Sequence, residues 1–282
     1  MDILEIIEKN KLSKESKEEL ISYISNSYDG VKESDMISND HAEFWKDILW
    51  YAKLFGSSNA INTKLCPNCP INFKSPSEID IRVYDSFAGK VPIIYVQDTN
   101  DFEHLVTNMV YKGERPDNIT KIGASFVFGK TIRYIILSAK PYSNVPANEL
   151  GIDVDEWREK SLLLRRDHEC THYFTKQTYG VAENKLHDEL MADFIGMYNA
   201  FGFYKAEWFL RFMGIISGSG KRLIVYTKDL SPQVRNTTAH ILTEAAHSLE
   251  KWSQTDEFIS MSVIERIKVM CKKGLVGILK KI

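Results

Sequence analysis

The chain has 282 residues, 44% of them hydrophobic, with 36 Lys and Arg against 38 Asp and Glu, a formal net charge of -2 and a pI near 6.4. That length and apolar content can bury a core in one large domain or two modest ones. The near-neutral balance gives no overall basic excess, although it leaves room for a local basic patch, so neither a nucleic-acid polymer nor an anionic membrane is an expected partner.

In chain order, the N-terminus MDILEIIEKNKLSKESKEEL lacks the basic start, apolar segment and small-residue cleavage site of a secretory leader. No window approaches the roughly 18 apolar residues of a membrane helix. Four cysteines, at positions 66, 69, 170 and 271, are too few for a secreted disulfide framework in a chain this long. A cytoplasmic protein is therefore expected. Ser13 can cap a helix over residues 14–25, with Leu20, Ile21, Tyr23 and Ile24 as its apolar stripe. Asp40 and Glu43 form a capping-box pair opening a helix that carries Phe44, Ile48, Tyr51, Ala52 and Phe55 on one side and stops at Gly56. Residues 57–77 hold Ser, Asn and three prolines and read as a connector. Within it Cys66-Pro-Asn-Cys69 has metal-ribbon or redox spacing. It lacks a second pair and a strand-to-helix context, so the expectation is a turn with two reduced thiols.

The middle reads as strands. Residues 79–84 alternate as I-D-I-R-V-Y, 91–96 are a short apolar run, and 101–112 look helical. Residues 125–128 and 131–138 flank Gly129-Lys130 as a hairpin. The last half is helical: 155–179 ending at Gly180, 184–200, a shorter segment from 205, Ser231-Pro232 opening a helix to 252, and a final helix near 261. The order predicts an α+β fold: N-terminal helices, a small, mostly antiparallel sheet, then a helical half. It divides as an N-terminal helical segment, 1–60, and a second unit, 78–282, or runs as one continuous domain, 1–282. The five tryptophans are scattered and are expected in cores.

The helix over 155–179 contains His168-Glu169-Cys170-Thr171-His172. Residues four apart share a helix face, so His168 and His172 can offer two imidazoles to one metal. Glu169 projects about 100° round from His168 and can accept a proton beside the metal without ligating it. Catalytic zinc takes three protein ligands and keeps a fourth position open. The third can come from His187, Asp188 or Glu189 on the next helix. His187 shares a face with Leu190, Met191 and Phe194, which reads as core. Glu189 shares a small, polar face with Asp193 and Gly196, which favours it. Asp193 could then accept the second N–H of a ligating histidine. Arg165 lies one turn before Glu169 and could touch substrate or carboxylate, although a solvated face is the default for the Arg165-Arg166-Asp167 charge run. Cys170 points off the metal face as a packed thiol.

H-E-C-T-H, sixteen residues, then E-L-M-A-D resembles the gluzincin (thermolysin-like) metallopeptidases over residues 162–197. The metzincin pattern fails, because Thr175 and Thr178 stand where it needs Gly and His. The resemblance implies a zincin-like fold, one zinc ion held by His168, His172 and Glu189, Glu169 as base, and Asp193 behind a ligand. It also implies a peptide or protein substrate laid along an edge strand, for which 131–138 is the strand taken. An oxyanion-stabilising group is expected among Tyr142, Tyr179, Tyr226, His240 and His247. The competing expectations are a metal-stabilised binding or regulatory protein without turnover, and a helical protein whose two histidines hold no metal.

Overall fold

The computed structural model describes residues 3–34, 41–129, 132–181, 183 and 185–280. The fold is α+β, with a four-stranded mixed sheet and a helical C-terminal half. Helices α1 (Ile3–Lys9), α2 (Lys14–Ile24) and α3 (His41–Phe55) come first, then a short helix α4 (Ser57–Ala60) running into a π-helical turn, Ile61–Leu65. Ser13 caps α2 by accepting from the Ser16 amide. Asp40 and its capping box lie outside the described residues.

The apolar face of α3 is rotated from the expected one. Trp45 and Ile48 are buried, whereas Phe44 and Phe55 are exposed, as is Trp50 at 64%. Trp45 packs edge-on to Tyr134 of the sheet, and that contact sets the rotation. The other four tryptophans are buried as expected.

Strands β1 (Ile79–Ser86) and β2 (Gly89–Val96) form an antiparallel hairpin. Helix α5 (Thr99–Met109), capped by Asp98, leads to β3 (Ala124–Phe128) and β4 (Arg133–Ser138). β3 and β4 pair antiparallel with Phe128 opposite Arg133, and β4 pairs parallel with β2, giving the order β1-β2-β4-β3. The edge strands are therefore β1 and β3, and the 131–138 segment is an inner strand. The reason lies in its composition: Tyr134 to Leu137 are apolar on both faces and buried, as an inner strand requires, whereas β3 is only half-buried. Alternation splits β4 between two cores. Ile135 and Leu137 join the helical half, while Tyr134 and Ile136 join α3 and α5.

The helical half runs through α6 (Ala147–Leu150), α7 (Val154–Tyr179), α8 (Leu186–Phe201), α9 (Ala206–Met213), α10 (Arg222–Tyr226), α11 (Pro232–Trp252), α12 (Asp256–Ser260) and α13 (Val263–Leu279). Asp153 caps α7, and Gly180 ends it in the left-handed conformation at φ 70°. Ser231 stands at the α11 N-cap position, but its amide and hydroxyl bind the Glu19 carboxylate at 2.8 and 2.7 Å, which ties α11 to α2. Among the described residues no helix is long and apolar enough to cross a membrane.

Candidate metal centre

Helices α7 and α8 pack against each other over the length that carries the motif. At Gly196 the two backbones nearly touch: a Cβ there would lie 2.5 Å from the Leu164 carbonyl oxygen and 3.1 Å from the His168 amide nitrogen. Only glycine lets α8 come this close. The approach brings the Glu189–Asp193 face of α8 onto the histidine face of α7.

Three side chains converge there. His168 Nε2 and His172 Nε2 are 3.1 Å apart, and Glu189 offers one oxygen 3.4 Å from His172 Nε2 and the other 3.6 Å from His168 Nε2. Ligand atoms on one tetrahedral zinc at about 2.0–2.1 Å stand about 3.3 Å from each other. Two imidazole nitrogens and a carboxylate at these separations match that donor set. His168, His172 and Glu189 are the cluster of this kind among the described residues, and all three are buried.

The side chains behind the cluster orient it. His168 Nδ1 lies 2.7 Å from Asp193 Oδ1 and 2.9 Å from the Tyr142 hydroxyl. An acceptor on that edge keeps the proton on Nδ1 and leaves the Nε2 lone pair facing the cluster. Tyr142 O–H donates to Asp193. Arg222, on α10, donates through Nη1 to both Asp193 oxygens at 3.0 and 2.8 Å and to the Tyr142 oxygen at 3.1 Å, and through Nη2 to Glu189. One guanidinium thus spans a candidate ligand and the carboxylate behind another. Sequence reasoning missed Arg222, which lies on a five-residue helix without a periodic pattern.

These contacts set the charges. Burial alone would raise the Glu189 and Asp193 carboxyls, but Arg222 and the histidines hold both below the ordinary range. Burial alone would lower His172, but the Glu189 carboxylate reverses this and holds it at about 9. Burial also pushes the Tyr142 phenol up. His172 Nδ1 is buried without a hydrogen-bond partner among the described residues.

A cleft of about 580 Å³ opens on the site, bounded by Gly123 and Ala124 at the start of β3, by Pro141 to Asn144, and by Lys221 to Tyr226 around α10. Half-buried Glu169 lines it beside His168. Of the expected accessory groups, Tyr142 is brought to the centre, but its hydroxyl is engaged with Asp193, His168 and Arg222. Tyr226 is on the cleft wall. Tyr179 instead packs edge-on to Tyr28, half-buried His240 is not among the cleft's lining residues, and exposed His247 lies 3.6 Å from Glu250. A larger cavity of about 690 Å³ lies between the sheet and the first half of α7 and holds none of the cluster.

Arg165 is 3% exposed, not solvated. It donates to the carbonyls of Ser138 and Lys140 at 2.8 Å and of Pro141 at 3.2 Å, fixing the segment that carries Tyr142. Asp167 is buried too, accepting from Arg166 and Asn199. Both residues sit where α7 packs on its neighbours, which overrides the default for a charge run. On α8, His187 faces the Met270 carbonyl at 3.1 Å, and Asp188 accepts from the Tyr28 hydroxyl at 2.8 Å, so neither joins the cluster. Cys170 is fully buried, and burial pushes its thiol up. The Cys69 amide donates to the Cys66 carbonyl at 3.1 Å in a tight turn with neither cysteine in a disulfide, and the Cys69 thiol donates to Asn108 Oδ1 at 3.3 Å.

A family described as a family of unknown function (DUF7005) matches residues 52–132 and 131–281, and the chain belongs to it. No curated protein and no solved structure matches the chain.

Proposed function

We propose that this protein is a zinc-dependent hydrolase, a metallopeptidase of the gluzincin kind, with one zinc per chain. The observation that carries the reading is the convergence of His168 Nε2, His172 Nε2 and a Glu189 oxygen at zinc-ligand spacing, with Glu169 beside them on an open cleft. When bound, zinc supplies Lewis acidity, polarising a carbonyl and lowering the pKa of water toward neutrality. The chain's own groups do the rest. Glu169 accepts the proton of the attacking water and passes it to the leaving amine. Asp193, Tyr142 and Arg222 hold His168 and Glu189 in place. Tyr226, on the cleft wall beside Arg222 and Glu189, is the other hydroxyl of the expected set that lines the cleft and could serve the oxyanion. β3, an edge strand among the described residues whose first residue lines the cleft, offers its outer side to an extended peptide.

Elemental analysis combined with a peptide-cleavage assay tests the proposal. One zinc per chain, lost in His168→Ala and kept in Glu169→Gln, is expected. Cleavage should be chelator-sensitive and absent from Glu169→Gln. A protein without stoichiometric metal, or a Glu169→Gln variant with full activity, would refute it.

A further inference from the structure

The cleft carries an uneven charge. Four cations line it, and two of them are occupied inside the protein: Arg165 by backbone carbonyls, and Arg222 by Glu189 and Asp193. The other two are Lys121, on the turn Ile119–Lys121 leading into β3, and Lys221, directly before α10. They come from two of the segments that bound the cleft, both are exposed, and neither forms an ion pair among the described residues. The carboxylate among the lining residues is Glu169, on the α7 side of the cleft beside His168 and on neither segment that carries a lysine. Next to Lys221, the apolar side chains of Ile224 and Val225 line the same cleft at 58% and 52% exposure.

We infer that the cleft selects acidic peptide segments, with carboxylates flanking an aliphatic residue and pairing with Lys121 on one side and Lys221 on the other. This inference rests on the peptidase reading. A chain of net charge -2 has no overall field that attracts anions, so the selectivity arises locally. An extended peptide along β3 would place its side chains toward these walls by strand alternation, while its backbone pairs with the edge. Basic peptides would meet unpaired like charge, which discriminates against them as strongly as the lysines favour acidic ones.

The test uses two octapeptides with the same aliphatic centre, one flanked by glutamates and one by lysines. Binding to zinc-loaded Glu169→Gln protein is read by fluorescence anisotropy, and cleavage by the unaltered protein by mass spectrometry. Two partly exposed ion pairs predict about tenfold tighter binding of the acidic peptide at low salt, shrinking as salt is raised. The double variant Lys121→Glu, Lys221→Glu should reverse the order. Cleavage of both peptides with equal binding would overturn the charge selectivity and leave the hydrolase reading intact. Preferential acidic binding without cleavage of either would overturn the hydrolase reading and leave the selectivity. Absence of both binding and cleavage would overturn both.

Discussion

Gly196→Ala tests whether the helix contact builds the site. The added Cβ would meet the Leu164 carbonyl at 2.5 Å, the His168 amide nitrogen at 3.1 Å and the His168 Cβ at 3.4 Å. Real Cβ contacts stop near 3.0 Å, so the helices must part by about 0.5 Å there. The nearest obstacle is helix backbone, which cannot rotate aside. Overpacking of this kind costs about 1–3 kcal/mol, partly offset by up to ~1 kcal/mol because alanine favours helix over glycine. At about 2–4 °C per kcal/mol for a chain of this size, the melting temperature should fall by several degrees. The consequence for metal is sharper. Ligand distances tolerate about 0.2 Å, and Glu189 lies two turns from Gly196 on the face that meets His168. Zinc affinity should fall at least about tenfold. Thermal melts in chelator and zinc titrations against a chromophoric competitor separate the two effects. A variant with unchanged melting temperature and unchanged zinc affinity would refute the claim that this contact sets the ligand geometry.

Arg165→Met should cost about 2–4 kcal/mol in chemical denaturation, because it strips a charged donor from three carbonyls, two of them at 2.8 Å; a loss under about 0.5 kcal/mol would mean that the clamp is idle. Asp193→Asn keeps the shape but removes the charge that His168 Nδ1 and Arg222 address, so zinc affinity should drop about 10- to 100-fold in competition titrations. An unchanged affinity would disprove that role. In metal-free protein His172 sits at about 9, above an unfolded value near 6.5, so its contribution to stability is present below about pH 6.5 and is lost as pH rises through about 9. Zinc must displace that proton, so apparent affinity should climb across the same window, and calorimetry in buffers of different ionisation enthalpy should show proton release. A pH-independent affinity between 6.5 and 9 would contradict it.

Much of the architecture is written in local patterns. The strand over 79–84, the hairpin after residue 124, and the long helix stopped at Gly180 all follow from periodicity and from residues whose backbone preferences act within a few positions. Where one face must be chosen among several apolar ones, local pattern is insufficient. Both Phe44 and Trp45 are apolar, and the decision to bury Trp45 is made by Tyr134, far along the chain. One edge of the sheet is likewise decided by where the hairpin docks, since pairing β4 with β2 leaves β3 outside. The clamp made by Arg165 becomes visible only once the Ser138 to Pro141 carbonyls have folded beside it.

By itself the sequence determined the spacing that puts His168 and His172 on one helix face, and Glu189, Asp193 and Gly196 on another, because helical phase depends only on residue number. The tertiary structure decided that these faces meet, through a glycine contact with no room for a Cβ. It also recruited Tyr142 and Arg222, from 51 and 29 residues away along the chain, to bind Asp193. Such partners are chosen by the need to satisfy buried charge after packing, and that need does not exist until the chain has folded.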